Sequence, residues 1–256
     1  MNLKERPYLR RIELLRERIT SFNEYPFNLP IIKDFSYIDF HQDVTFFVGE
    51  NGVGKSTIIE SIAVGLGYNA EGGNRNVNFK TKETTSELYK FLRLIKSYKK
   101  PREGYFLRAE SLYNVASYMD SIAPPEVQGY GGKSLHSQSH GEAFLSVIKN
   151  KFHGNGLYIL DEPESALSPT RLIAILSVIN NLVKRNSQFI IATHSPILLA
   201  YPNSTIYQIN NSEIKEIEYL DTENFLITKN FLDNHKAIID SLFSKKPIGG
   251  THEDKH

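Results

Sequence analysis

The 256-residue sequence contains no cysteine, which excludes disulfide bonds, zinc sites built from thiolates and catalysis by a thiol. It also lacks long apolar runs. The longest, Leu172–Ile179 with Ser177 inside it, falls far short of the roughly 20 residues that a membrane-spanning helix needs. The first eleven residues include five charged ones and have no apolar signal-peptide core. We therefore expect a soluble cytoplasmic protein with no direct insertion into a membrane.

Net charge is nearly absent as well, at +1, so the field of the whole molecule favours no particular partner. The segment 75–108 is nevertheless rich in Lys and Arg, with aromatic residues between them. Such a mixture can bind phosphate backbones and stack on bases, which keeps DNA open as a partner. Alternatively, residues 86–98 form a helix that buries its apolar side chains and leaves its lysines in solvent. We favour the helix.

One glycine-rich stretch organises the chain. Residues 49–57 fit the phosphate-loop pattern G-x-x-x-x-G-K-[ST], preceded by the apolar strand pattern Val44–Val48 and followed by apolar residues at helical spacing. Glycines there let backbone N–H groups face a triphosphate at the helix N-terminus. Lys55 is predicted to reach the β and γ phosphates, and Ser56 to ligate Mg²⁺. The predicted ATP-binding residues are Gly49, Glu50, Asn51, Gly52, Val53, Gly54, Lys55, Ser56 and Thr57.

A second chemical centre follows about a hundred residues later. Residues 157–160 predict a strand buried on both faces, and Asp161 and Glu162 come where it leaves the sheet, at the edge where open α/β sheets bind ligands. We expect Asp161 to hold Mg²⁺ and Glu162 to accept a proton from the attacking water. The strand predicted over 188–193 delivers His194 to the same edge, where it is expected to sense the γ-phosphate.

The remaining pattern gives a coarse order of elements. Residues 8–19 fit either a strand or a short helix, and a strand is predicted around Ile31–Phe35. The segment 68–133 is expected to be a compact inserted lobe with a helix ending near Ile122. Ser168 and Pro169 predict the start of a long buried helix. At the end we expect a hairpin over 205–220, a helix over 223–243 packed on the core, and a frayed tail over 245–256.

Four aromatic residues precede the phosphate loop and are candidates to stack on an adenine: Tyr25, Phe27, Phe35 and Tyr37. The sequence does not choose between them.

The motifs in combination resemble an ATP-binding-cassette ATPase. Gly49–Thr57, Ser137–Glu142, Asp161–Ser168 and Thr193–Ser195 occur in that family's order and spacing. More closely, the chain resembles the small stand-alone ATPases of bacteria, P-loop NTPases related to SMC-type and DNA-repair ATPases. The resemblance covers residues 8–243. It implies a single α/β domain with a mostly parallel sheet flanked by helices.

The resemblance also implies a mechanism. In this family the signature loop caps the γ-phosphate of ATP bound to the other subunit, so that ATP holds a head-to-tail homodimer together and hydrolysis releases it. The signature residues here are Ser137, Ser139, Gly141 and Glu142, and residues 165–168 match the loop along the dimer interface. Where the family places a glutamine that senses the metal, this chain offers Glu110, which we expect to act as a metal ligand beside Ser56 and Asp161.

Three functions remain open at this stage. The first is a stand-alone ATPase that works on DNA or controls a partner protein in repair, defence or a toxin module. The second is the nucleotide-binding subunit of a transporter, bound to its partner through the segment 68–133. The third is a scaffold that binds ATP with little turnover. The basic segment and the form of the signature loop favour the first.

Overall fold

The computed structural model describes residues 6–76, 85–126, 129–210 and 213–244. Its strands are β1 (Leu9–Leu14), β2 (Tyr37–Asp39), β3 (Val44–Val48), β4 (Leu92–Lys96), β5 (Glu103–Arg108), β6 (Gly156–Asp161), β7 (Gln188–Ala192), β8 (Thr205–Ile209) and β9 (Ile214–Glu216). Its α-helices are α1 (Pro30–Asp34), α2 (Lys55–Gly65), α3 (Leu112–Ile122), α4 (His140–Lys151), α5 (Pro169–Lys184), α6 (Pro196–Leu199) and α7 (Glu223–Ser244).

A six-stranded sheet forms the centre, in the order β5-β6-β7-β3-β8-β9. Every neighbouring pair is parallel except β8 and β9, which form the predicted hairpin. Strands β3, β6 and β7 are buried along their whole length, as their apolar sequences predict for a parallel sheet covered on both faces. Because the five parallel strands point the same way, their carboxyl ends meet at one edge, and this edge positions the site.

Alternate residues of the central strands point into two separate cores. Phe46 lies in one core with α3, α4 and α5, whereas its neighbour Phe47 lies in the other with α1 and α2. The long helix α5 begins where the sequence predicts, since the Ser168 hydroxyl accepts a hydrogen bond from the Arg171 N–H and Pro169 occupies the first helical position. The predicted α/β layer architecture is confirmed.

A small antiparallel sheet, β2-β1-β4, lies against the second core. Within the ambiguous stretch 8–19, Leu9–Leu14 form strand β1 and Arg16–Arg18 form a 3₁₀ turn. The helix predicted over 86–98 is wrong, because a 3₁₀ turn at Glu87–Phe91 leads directly into β4, which pairs with the free edge of β1. The strand predicted around Ile31–Phe35 is also wrong: Pro30 starts helix α1, which buries Ile31, Ile32 and Phe35 together.

The segment 68–133, predicted to be an inserted lobe, contributes a strand to each sheet. In its described part, β4 pairs with β1 and β5 pairs with β6, while α3 follows β5 and ends at Ile122 as predicted. These two strands tie the segment to both sheets. The position of β5 brings Arg108 and Glu110 to the carboxyl edge.

Helix α7 departs from its prediction. It has the expected length, but none of its residues is buried, and it exposes Leu226, Ile227, Phe231, Leu232, Leu242 and Phe243. Its base is fixed by the buried Thr222 and by Phe225, whose ring lies 4.8 Å from that of Tyr219. The predicted packing along the core is therefore wrong beyond the first turn. The tail predicted over 245–256 lies outside the described residues. Among the described helices, none is both long and apolar enough to cross a membrane.

Candidate functional site

The phosphate loop connects β3 to α2 at the carboxyl edge. Its backbone needs glycine at two kinds of position. Gly54, the residue before the helix, has φ of +104°, and Gly52 has φ of +84°, both in the left-handed region that side chains disfavour. Gly49 is required by contact, since a Cβ there would lie 2.1 Å from the carbonyl oxygen of Ile209 in β8. The loop is therefore shaped by backbone packing before any ligand binds.

Lys55, the first residue of α2, folds back onto this loop. Its side chain is almost fully buried, and Nζ donates hydrogen bonds to the carbonyl oxygens of Gly49 (2.8 Å) and Glu50 (2.7 Å). Burial lowers the pKa of the Lys55 ammonium, and three nearby carboxylates oppose this shift. Lys55 thus lies against the loop, close to three carboxylates at the end of β6 and in the turn that follows it.

Asp161 and Ser56, 105 residues apart in sequence, meet at this edge. The Ser56 hydroxyl donates to Asp161 Oδ1 at 3.3 Å. Burial raises the pKa of the Asp161 carboxyl to about 6, and the Arg108 guanidinium beside it opposes the shift. A hydroxyl and a carboxylate are the hard oxygen ligands that Mg²⁺ prefers, so these two residues fit the predicted metal.

A cavity of about 390 Å³ opens beside this pair. Its lining comprises Ser56, Arg108, Ala109, Glu110, His140, Asp161, Glu162 and Ser165. The predicted metal ligand Glu110 thus faces the same cavity as Ser56 and Asp161. Its side chain is 85% exposed, and its carboxylate lies 3.8 Å from an Arg108 nitrogen. Among the described residues, no three His, Cys, Asp or Glu side chains form a metal-binding group.

Glu162 follows β6 with a backbone in the left-handed region, at φ of +49°. This conformation is uncommon for a residue with a side chain and recurs at functional sites. Glu162 Oε1 lies 3.6 Å from Nε2 of His194, and this buried ring nitrogen has no hydrogen-bond partner among the described residues. The structure therefore brings Glu162 and His194 together, and Glu162 lies near Lys55 and Asp161.

Glu164 is a site residue for which the sequence suggested no role. Its carboxylate accepts hydrogen bonds from the Thr193 hydroxyl (2.7 Å) and from the backbone N–H of His194. On the other side, the Asn224 amide of α7 donates to the His194 carbonyl oxygen at 2.9 Å. The backbone at Thr193 and His194 is thus held by Glu164, in the turn after β6, and by Asn224 of α7. The position of Glu164 two residues after Glu162 is the signal that could have pointed to it.

Of the predicted signature residues, Ser139 and Glu142 form a capping box at the start of α4. The Ser139 hydroxyl accepts from the Glu142 N–H at 3.4 Å, and Glu142 Oε2 accepts from the Ser139 N–H at 2.9 Å. This pairing lowers the pKa of the Glu142 carboxyl. Gly141 is buried, and a Cβ there would lie 2.8 Å from the carbonyl oxygen of Ala166.

Two signature residues line a cavity other than the one beside Ser56. Ser137 and Glu142 border an opening of about 530 Å³ together with Lys133, Lys149 and other residues. Neither residue lines the cavity beside Ser56. The described structure therefore places the predicted catalytic groups together and these two signature residues apart from them.

The four aromatic residues that are candidates to stack on an adenine differ in their exposure and in what they contact. Tyr25 is 60% exposed, and its hydroxyl lies 3.3 Å from Oγ1 of Thr57 in the phosphate loop. Phe35 is buried, and Phe27 packs on Phe91 with ring centroids 4.8 Å apart. Tyr37 lies at a different cavity. Tyr25 is thus the one of the four with a side chain that is both open and bonded to the loop.

Comparison with known proteins places this geometry in a family. A family model described as an AAA domain matches residues 18–246. The ribose import ATP-binding protein RbsA of Bacillus cereus is 24% identical over 186 residues, which are 64% of this chain and 37% of that protein. The chain thus spans little more than a third of the length of that relative.

Solved structures share the fold. CbiO1 from Clostridium perfringens, described as part of the ABC transporter complex cbiONQ, matches with a TM-score of 0.50 and 16% identity over 93% of this chain and 99% of that one. The SMC head domain from Thermotoga maritima matches with a TM-score of 0.44 and 14% identity, over 83% and 99% of the two chains. The likeness to cbiO1 confirms the predicted cassette fold. Since the family model matches most of the chain, this protein belongs to the AAA domain family.

Proposed function

We propose that this protein binds Mg-ATP and hydrolyses it to ADP and phosphate. The observation that carries the proposal is the meeting of Lys55, Ser56, Asp161, Glu162 and His194 at the carboxyl edge of one parallel sheet. Open α/β sheets bind their ligands at this edge. The residues come from three separate parts of the chain, and each brings the chemical group that phosphoryl transfer needs.

The roles follow from the groups. The phosphate-loop N–H groups and Lys55 bind the phosphates, while Ser56 and Asp161 hold Mg²⁺, which when bound neutralises charge on the transferred phosphoryl group. Glu162 accepts the proton of the attacking water, because it lies beside the cavity with its carboxylate half open to solvent. His194 senses the γ-phosphate from the carboxyl end of β7, where its Nε2 lies 3.6 Å from Oε1 of Glu162. Glu110 supplies a further oxygen toward the metal from the rim of the cavity.

Tyr25 contacts the adenine. Its exposed ring stands at the end of the phosphate loop, because its hydroxyl is bonded to Thr57. A ring in that place can stack on the base without specific hydrogen bonds.

ATP holds two copies together head to tail. Ser139 caps α4, which presents its positive N-terminus, and Gly141 lets the backbone approach closely. Ser137 and Glu142 line a different cavity from Ser56, which suits a role on the nucleotide of the second copy, while His140 of the same loop borders the cavity of Ser56. The protein works in the cytoplasm, where ATP is available, on DNA or on a partner protein.

A transporter subunit is the second candidate function, favoured by the likeness to the ribose import protein. Such a subunit would stay bound to a membrane protein during purification from detergent extracts. A scaffold with little turnover is the third candidate, and it would bind ATP normally while releasing no phosphate.

The test is light scattering coupled to size-exclusion chromatography, with and without Mg-ATP, and with phosphate release measured in parallel. Glu162→Gln should bind ATP and remain a dimer, since only hydrolysis opens the complex, while the wild type hydrolyses and returns to a monomer. Glu103→Gln is the matched control and should behave as wild type, because Glu103 begins β5 and so lies at the other edge of the sheet from Glu162. A Glu162→Gln protein that stays monomeric, or that releases phosphate at the wild-type rate, would rule out the roles assigned to this residue.

A further inference from the structure

Arg108 is a partly buried cation that the proposed mechanism does not use. It is the last residue of β5, and its side chain is 20% exposed. Its Nη1 donates a hydrogen bond to Oε2 of Glu60 in α2 at 2.9 Å. Its Nε lies 3.2 Å from Oδ2 of Asp161 in β6, where the two groups form an ion pair without hydrogen-bond alignment. Arg108 therefore bridges two carboxylates that are themselves mostly buried.

The two oxygens of Asp161 are divided between two neighbours. Oδ1 accepts from the Ser56 hydroxyl at 3.3 Å, and Oδ2 faces Arg108. Because the guanidinium has several nitrogens at fixed spacing, Arg108 contacts Glu60 and Asp161 at the same time, which a single ammonium nitrogen does less readily. The ion pair holds Oδ2 of Asp161 on the side of Arg108 and leaves Oδ1 facing the Ser56 hydroxyl.

Glu60 holds Arg108 from behind. Its second oxygen, Oε1, accepts a hydrogen bond from the Ser86 N–H at 3.0 Å, so the carboxylate is itself anchored. Ser56 and Glu60 both lie on α2, so the contacts form a closed ring from Ser56 to Asp161, to Arg108, to Glu60 and back through the helix. This ring joins α2 to the ends of β5 and β6.

We propose that Arg108 is a positioning residue for the divalent-cation site. It orients Asp161 so that Oδ1 and the Ser56 hydroxyl face the cation together. The inference rests on the proposed function, because it assigns the cation to Ser56 and Asp161. The competing explanation is that Arg108 only neutralises Glu60 and stabilises the fold.

Two variants separate these explanations. Arg108→Gln leaves Glu60 without its partner, so both explanations expect a loss of stability. The double variant Arg108→Gln with Glu60→Gln removes the unpaired charge and lets two neutral amides bond, so it should regain stability in urea denaturation without metal or nucleotide. Arg108→Lys keeps the charge but not the planar fork. Arg93→Gln, at an exposed arginine paired with Glu13, is the matched control.

The decisive readout is the affinity for Mn²⁺ in the presence of ADP, measured by electron paramagnetic resonance of the free ion, alongside ADP affinity in EDTA. We expect Arg108→Gln and the double variant to bind Mn²⁺ at least tenfold more weakly than wild type, and Arg108→Lys to recover only part of this loss. ADP affinity in EDTA should change less than twofold. Wild-type Mn²⁺ affinity in the stable double variant would overturn the proposal. A wild type that shows no Mn²⁺ binding with ADP would instead overturn the proposed function, and this inference with it.

Discussion

Replacing Asp161 by Asn should change how stability depends on pH. The carboxyl is 3% exposed, and burial raises its pKa from 3.8 to about 6. Below about pH 3 the group is neutral in both states and costs nothing. As the pH rises through about 6, the folded protein must hold a buried charge that the unfolded chain ionised more easily. The wild type therefore loses about 3 kcal/mol of unfolding free energy between pH 3 and pH 8 through this group.

The assay is urea denaturation across this pH range in EDTA, with wild type and Asp161→Asn in parallel. Asparagine has nearly the same shape, keeps an oxygen that can accept from Ser56, and does not titrate. The unfolding free energy of the variant minus that of the wild type should rise by about 3 kcal/mol from pH 3 to pH 8. Asp240→Asn, on the exposed side of α7, is the matched control. Parallel curves for Asp161→Asn and wild type would refute the reasoning.

Three further predictions concern the glycines of the phosphate loop, the helix cap at the signature loop and the residue proposed to contact the adenine. In urea denaturation, Gly49→Ala should lower the free energy of unfolding by more than about 2 kcal/mol, because its Cβ would clash with the Ile209 carbonyl oxygen. Gly52→Ala has open space around its Cβ, so it should lower the free energy of unfolding by about 1 kcal/mol, from backbone strain alone. Equal losses would contradict this. Ser139→Ala should cost about 1 kcal/mol in thermal unfolding through the lost cap, and no change would show that the cap is dispensable. Tyr25→Ala should weaken ATP binding about tenfold, equivalent to ~1.4 kcal/mol, in isothermal calorimetry. Tripolyphosphate affinity should stay unchanged, and an equal loss for both ligands would place Tyr25 elsewhere.

The central part of the fold could be predicted because local pattern and tertiary context agree there. Strands β3, β6 and β7 are short apolar runs, each followed by polar residues that carry the site. Runs of this length, rich in β-branched and aromatic residues and bounded by polar or turn residues, are typical of buried strands in a parallel sheet. Since the carboxyl ends of parallel strands meet at one edge of the sheet, the sequence predicts that Asp161 lies close to Ser56.

Outside the centre, context overrode the local pattern. The spacing of Leu88, Leu92 and Ile95 fits one face of a helix. Residues 92–96 instead form β4, because their backbone groups pair with the free edge of β1. Nothing in the local sequence announces that edge. In the same way, Arg108 looked like one of many cations in a basic segment. Its role depends on Glu60 and Asp161, 48 and 53 residues away, and no spacing rule links them.

The lysine of the phosphate loop has one more consequence. Its two hydrogen bonds to the Gly49 and Glu50 carbonyls mean that a ligand must exchange acceptors with the backbone rather than fill an empty place. Because the Lys55 ammonium is charged, its bonds to the two carbonyls join a charge to a dipole, and a neutral ligand would replace them with bonds of the same kind. Phosphate oxygens share a net negative charge, so exchanging the carbonyls for them adds attraction between opposite charges. We therefore expect the loop to favour anionic ligands over a nucleoside without phosphates.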